Sequence, residues 1–481
     1  MKIKDILPSC EGALSNTEAL GITRIPDECL DGYLFFDLPK SDGKHHKLKA
    51  LKGRPIAIVC DRTSEYNSSK LPIITVNNTR REYSMALYRF FGVDLSKIKL
   101  VGVTGTCGKT TTATLIYELS RSMGLKVGLI GTGRILIDGE NIMEDGYSMT
   151  TPDPEILYPT LRRMQNSGVG LIVMEVSSHA LALEKVAPLK FDIGIFTNLS
   201  EEHLDFHPDM QDYFNTKMHL LQNSMLCIVS HSSKYGKSAS ERFSGKSLSV
   251  GKDEGCDMRF DRYEYISHGK CHFDITLGEG TLGVKTKLLG EFNAYNILSA
   301  LACMMALGYS LKGLLPALEE ITVGGRMKLT ERCGIKVIKD FAHTPDALQK
   351  LLDFANSLCN SGQSVITVFG CGGERDSLKR AKSLKVALSR SSSVIVTSDN
   401  PRGEGRAKIL FDMLDGCEYK SLSIMLDRGV AIEYAIMHAG RGDVVIVAGK
   451  GDEKYINECG ARIPFCEDEI IERALKKREG L

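Results

Sequence analysis

From Lys97 onward, short apolar runs give way to glycine-rich or polar loops and then to helical stretches, and this alternation constrains the fold more than any other feature. One series of runs lies at 100–103, 127–131, 170–176 and 193–198. A second, at 336–338, 364–369, 393–397 and 443–447, follows Arg326. Strands separated by helices cannot pair as simple hairpins, so both series predict α/β units with doubly wound parallel sheets. The loops after the second series, 340–345, 370–376, 398–402 and 449–453, then fall at the carboxyl ends of strands, where open parallel sheets take their ligands.

A chain of 481 residues exceeds one ordinary core, and about 150 residues per domain predicts three. The expected division is a small N-terminal α/β domain over 1–95, a central domain over 96–324 and a Rossmann-like domain over 325–481. An apolar-periodic stretch at 83–91 reads as a helix, and 293–308 reads as another, closed by Gly308. The alternating segments 260–265 and 271–277 read as antiparallel edge strands added to the central domain. The net charge of +1 gives no global field for nucleic acid or a membrane surface. The 14 cysteines lack a CxxC pair or a zinc-like set of spacings, which suits reduced thiols, and no signal-like or membrane-spanning stretch is found, so a cytoplasmic protein is expected.

The segment from Leu100 to Thr112 carries the clearest chemistry. Its apolar strand runs into Gly105, Thr106, Gly108, Lys109, Thr110 and Thr111, the pattern of a phosphate loop opening a helix. Backbone N–H groups in such a loop face phosphate oxygens, the lysine reaches the β and γ phosphates, and the first threonine hydroxyl is placed to ligate Mg²⁺. The spacing departs from the general pattern, since counting from Gly102 leaves five residues before Gly108. Glu175 ends an apolar run and faces the same sheet edge, which makes it a partner for that metal; Ser177 follows just beyond. His203 and His207 lie after the next run, and His203 is the better candidate for metal or phosphate, with His207 read as packing.

These motifs, together with 150–153, 213–217, 293–296, 325–327, 340–348 and 399–402, resemble in order the motif set of the Mur ligase family, most closely its MurE branch, over about residues 75–460. The resemblance implies an ATP-dependent amide ligase: ATP and Mg²⁺ activate a carboxylate of UDP-MurNAc-L-Ala-D-Glu as an acyl phosphate, which the amine of meso-diaminopimelate attacks. It assigns Lys109, Glu175, His203 and Lys217 to catalysis, with Thr110, Glu175, His203 and a carbamylated Lys217 (N6-carboxylysine) at the metal. On residue type alone, Lys217 reads as a surface helix position. Asn293, Asn296, Arg326, Asp340 and His343 join the phosphate loop in holding ATP. Thr150, Thr151, Ser177 and Lys185 are assigned to the acceptor, and Arg375, Asp399, Asn400, Arg402, Gly449 and Glu453 to the amino acid. An arginine fork suits a carboxylate at the far end of the amine donor and would repel the ammonium of lysine.

Three positions depart from the family pattern: Cys107 replaces Asn, Lys185 replaces Arg, and Asp452 replaces His. The N-terminal segment lacks the family's usual uridine-contact pattern, which leaves open a Mur-type ligase with another acceptor or amino acid. A catalytically idle nucleotide-binding paralogue is the rival of a different class. The expected partners are small molecules, with no nucleic acid or membrane, and the expected state is a monomer.

Overall fold

A computed structural model describes residues 1–39, 51–61, 71–143, 149–417 and 421–480. Four short strands, β1 (Gly21–Thr23), β2 (Tyr33–Phe36), β3 (Ala57–Cys60) and β4 (Ile73–Thr75), pair in parallel in chain order. They lead into α1 (Thr79–Phe90), whose first turn is closed by Asn78 Oδ1 accepting from the Arg81 N–H at 3.0 Å.

The next sheet holds eleven strands: β5 (Lys99–Thr104), β6 (Val127–Gly131), β7 (Arg134–Ile137), β8 (Glu140–Asn141), β9 (Leu171–Glu175), β10 (Phe191–Phe196), β11 (Ser224–Ser230), β12 (Lys246–Gly251), β13 (Met258–Ser267), β14 (Lys270–Leu277) and β15 (Gly280–Thr286). The order β6-β9-β5-β10-β11-β12 is parallel throughout; β7 and β8 extend one edge and the antiparallel β13-β14-β15 the other. Register pairs Val103 with Glu175 and Thr104 with Phe196, so the ends of β5, β9 and β10 form one edge.

Helices α2 (Lys109–Ser122) and α3 (Met210–Gln222) lie on either side of that sheet, and α4 (Glu291–Ala306) packs beside α2. Val101, Val103, Leu115, Ile116, Ile193, Ile297 and Leu301 share one dry cluster. Each such side chain contributes about 1.5–3 kcal/mol on full burial. The other face carries a cluster that runs from Ile3, Leu34, Val59 and Leu87 to Leu100, Met174 and Leu220, so the packed core continues across residue 95. No helix among the described residues is long and apolar enough to cross a membrane.

The third large sheet comprises β16 (Lys328–Arg332), β17 (Ile335–Asp340), β18 (Val365–Phe369), β19 (Ser393–Val396), β20 (Leu422–Ile424) and β21 (Val444–Ala448), in the order β16-β17-β21-β18-β19-β20. Only β16 is antiparallel to its neighbour. Ala448 pairs with both Asp340 and Phe369, which brings the three following loops to one edge. Helix α5 (Pro345–Ser357) leaves the first of these loops, and a hairpin of β22 (Tyr455–Glu458) and β23 (Ala461–Pro464) follows the last. The α/β architecture and the parallel strands expected from the alternation are both present.

Candidate active site

Gly108 stands at the N-cap of α2 with φ 87° and no side-chain cap, so the first-turn N–H groups remain available to an anion. Glycine is required there because a Cβ would collide with Asn296 Oδ1. Gly105, at φ 144°, is equally constrained by Thr197 Oγ1. Lys109 Nζ donates to the carbonyls of Gly105 (2.9 Å) and Thr106 (2.8 Å), which holds the ammonium over the loop. Cys107 contributes backbone: its N–H donates to Asn198 Oδ1, and its carbonyl accepts from Thr197 Oγ1 and Asn198 Nδ2. Burial pushes the Cys107 thiol up, away from thiolate.

Glu175 is 1% exposed at the end of β9. Its Oε2 accepts from Thr110 Oγ1 at 2.9 Å and from Thr132 Oγ1 at 3.1 Å, while Oε1 accepts from the Thr132 N–H at 2.9 Å. A carboxylate flanked by hydroxyls at a phosphate loop is the hard-oxygen donor set that Mg²⁺ prefers. Thr150 Oγ1 extends the group, 3.1 Å from Thr132 Oγ1.

Lys217 on α3 is 1% exposed, which corrects its reading as a surface residue. Helical periodicity alone does not reveal that this face of α3 packs beneath the phosphate loop. Its Nζ donates to the Gly105 carbonyl at 2.9 Å and lies 4.6 Å from the Tyr213 ring centroid. Burial, with Lys109 nearby, drives its pKa well below the ordinary lysine value and favours the neutral amine. His203, at φ 58°, packs edge-on to His179 at 4.8 Å. Burial lowers both imidazoles, to about 3 and about 4, so both are neutral near pH 7. His207 is 2% exposed and bonds Asp212 through Nδ1 at 2.7 Å, while its Nε2 is buried without a hydrogen-bond partner among the described residues.

Glu202 joins the central sheet to the C-terminal one. Its Oε1 lies 3.0 Å from His343 Nε2, and its Oε2 lies 3.8 Å from His203 Nε2. These contacts hold its carboxyl below the usual range despite burial. Beside this bridge, a cleft of about 800 Å³ opens between the two sheets, lined among others by Asn198, Tyr295, Asn296, Lys350 and Phe354. Asn296 Nδ2 donates to Asn293 Oδ1 at 2.9 Å, and Arg326 lies over the Phe341 ring at 4.3 Å. Asp340 accepts from the N–H groups of Met327 and Ala342, and burial raises its pKa.

Thr151 Oγ1 donates to the Glu175 carbonyl at 2.9 Å and accepts from the Ser177 N–H at 3.0 Å, fixing the turn after β9. Lys185 Nζ pairs with Asp153 Oδ1 at 2.6 Å; Arg24 reaches the same aspartate at 3.1 Å and Glu155 at 2.7 Å, tying the N-terminal segment to this face.

At the C-terminal sheet edge, Asn400 is 4% exposed, its Nδ2 donating to Glu453 Oε2 at 2.8 Å. Arg402, at φ 54°, turns its Nη1 back to the Gly373 carbonyl at 2.6 Å. Burial, and then neighbouring Arg375, lower the Arg402 pKa, with Asp399, Glu453 and Glu374 opposing the shift. Gly449, at φ 118°, packs against Asp399, leaving no room for a Cβ. Lys450, fully buried, donates to Asn400 Oδ1 and Glu453 Oε2, each at 3.0 Å. Asp452 accepts from Lys339 Nζ at 2.7 Å.

With this geometry, the family comparisons agree along the chain. The Mur ligase middle domain matches residues 103–304, and the Mur ligase, glutamate ligase domain matches 325–451. A UDP-N-acetylmuramoyl-L-alanyl-D-glutamate--2,6-diaminopimelate ligase of Aquifex aeolicus is 36% identical, covering 95% of this chain and 93% of its own. The chain belongs to the Mur ligase family. A ligase of the same name from Geobacillus kaustophilus is 35% identical over 93% of both chains. Among solved structures, a diaminopimelate ligase superposes with TM-score 0.70 at 24% identity, over 100% of this chain and 99% of that one. The Thermotoga maritima MurF ligase in complex with ADP gives 0.62 at 19%, over 96% and 99%. Both likenesses speak to the fold.

In this Mur ligase, Thr132, Tyr213 and Lys450 lie beside the candidate site without being singled out by residue type and spacing, while Glu202 belongs to the acids of segment 198–207, whose type suits a metal or phosphate. Thr132 sits after a β6 run that ends in glycine, a weak signal. Lys450 and Glu202 lie inside motif segments, yet only packing distinguishes them from solvated charges.

Proposed function

We propose that this Mur ligase attaches meso-diaminopimelate to UDP-MurNAc-L-Ala-D-Glu with cleavage of ATP to ADP and phosphate. Near-full-length similarity to ligases of that name carries the proposal. It is supported by Arg402, with Arg375 as its neighbour, at one sheet edge and a phosphate loop at the other, with Glu202 and His343 bridging the two sheets.

ATP enters with its phosphates at the first turn of α2 and its base in the interdomain cleft near Asn296. Lys109 swings from its carbonyl partners onto the β and γ phosphates. A carboxylate of the acceptor, bound near Thr150, Thr151, Ser177 and Lys185, attacks the γ phosphorus, and ADP leaves. The donor amine, oriented by Arg375, Arg402, Asn400 and Glu453, then attacks the acyl carbon; phosphate departs and a proton is lost from nitrogen. Mg²⁺, when bound by Thr110 and Glu175 with His203 and carbamylated Lys217, neutralises phosphate charge. The neutral amine favoured at buried Lys217 is the form that reacts with CO₂. We assign the acceptor to domain 1–95, ATP to 96–324 and the amino acid to 325–481, in a monomeric cytoplasmic enzyme.

Phosphate release is measured with ATP, Mg²⁺ and UDP-MurNAc-L-Ala-D-Glu, comparing meso-diaminopimelate, L-lysine and no amino acid, with product mass checked. Release and a tripeptide product with diaminopimelate alone are expected, and chelation of Mg²⁺ should stop both. Turnover only with another acceptor would move the assignment to a different ligase of the family.

A further inference from the structure

Away from the phosphate loop, the ends of β11 and β12 bring together a second group of metal-binding side chains. His231 follows β11, and Asp253 and Cys256 lie in the turn after β12. One donor atom from each lies within 4.8 Å of the others. The His231 Nδ1 to Cys256 Sγ separation is 3.5 Å. Zinc bonds of about 2.3 Å to sulfur and about 2.0 Å to nitrogen, at a tetrahedral angle, put the two ligand atoms about 3.5 Å apart.

The surroundings favour that use. His231 Nε2 lies 2.9 Å from Ser240 Oγ; donation to this hydroxyl leaves the Nδ1 lone pair facing the cysteine, as an outer hydrogen bond does for a metal-binding imidazole. The Cys256 N–H donates to the Asp253 carbonyl at 3.0 Å, closing the turn that sets carboxylate and thiol side by side. Gly251 lies beneath them, where a Cβ would come within 3.1 Å of Cys256 Sγ and 3.2 Å of His231 Cβ. Lys237 Nζ already places a positive charge 2.8 Å from Asp253.

We infer that His231, Cys256 and Asp253 form a binding site for a borderline-soft divalent cation of the Zn²⁺ class, with solvent as the fourth ligand. On binding, the cation takes the Nδ1 lone pair and the Cys256 thiolate, whose proton leaves to solvent, and displaces Lys237 from Asp253. The site is separate from the hard-oxygen group at Thr110 and Glu175. It adjoins the nucleotide cleft, because the next residue, Ser232, lines that cleft and donates to the Thr197 carbonyl at 3.0 Å. Occupancy would stiffen that wall.

The test is titration of the metal-stripped, reduced full-length protein with Co²⁺, reading thiolate-to-cobalt charge-transfer absorption, and with Zn²⁺ against a chromophoric chelator. One equivalent with a thiolate band is expected. The band should vanish in Cys256→Ser, while Asp253→Asn and Ser240→Ala should each weaken Zn²⁺ affinity about tenfold or more. Lys237→Ala should tighten it. Asp253 and Lys237 are exposed, so those variants retain the fold even if Cys256→Ser does not. No thiolate band in the wild type, a band that survives Cys256→Ser, or unchanged affinity in Asp253→Asn would overturn the inference.

Discussion

Two buried lysines, Lys217 and Lys450, sit in opposite electrostatic settings. Lys217 meets a carbonyl, an aromatic face and a second ammonium. Lys450 is ringed by Asn400 and Glu453, with Asp399 at 3.8 Å. A buried amine whose hydrogen-bond partner is a neutral carbonyl, with Glu202 offsetting desolvation only in part, is driven toward its neutral, nucleophilic form, whereas one bonded directly to a carboxylate ties loops together. Under the proposed function the first setting serves a reactive group and the second a structural one, and residue type alone does not separate them.

The largest expected effect tests the reactive member. Lys217→Ala should lower kcat by about a thousandfold or more, since the proposed metal ligand and the bond beneath the phosphate loop are lost together; partial rescue of phosphate release by added acetate or formate would mark the missing group as a carboxylate. Wild-type kinetics in Lys217→Ala would break the contrast. Lys450→Met should destabilise the C-terminal part by about 1–3 kcal/mol in urea unfolding, because Asn400 Oδ1 and the half-buried Glu453 lose the donor they share. A variant equally stable but slow would make Lys450 a reacting group instead.

Arg402→Ala should raise KM for diaminopimelate about tenfold to a hundredfold, the value of a charge-assisted bidentate contact, with KM for ATP unchanged. An equal rise for both substrates would place Arg402 in domain closure. Smallest of all, Cys107→Asn should leave kcat and KM for ATP within about twofold, because the residue's bonds to Thr197 and Asn198 use its backbone.

Much of this was legible in the chain. Period-two and apolar runs separated by helical stretches specify parallel sheets because side-chain alternation and crossover length admit few other arrangements. The phosphate loop and Glu175 could be singled out because their chemistry depends on local spacing at strand ends, whereas Arg402 is assigned through the family resemblance alone. The burial of Lys217 was not legible: Asn215 and His219, two residues away on either side, are exposed, and Lys217 is bonded to Gly105, 112 residues away. The extent of the first core was equally hidden, since Leu100 and Met174 join Ile3 and Leu87 only through packing.

By itself, then, the sequence determined the alternating elements, the loop that cradles phosphate and the ordered motifs of the family. Tertiary structure decided which charges are buried, which carboxylates are shared and how the two sheet edges meet at Glu202 and His343. The physical reason is that backbone periodicity and turn chemistry are set by near neighbours, while desolvation and pairing depend on residues brought together from across the chain.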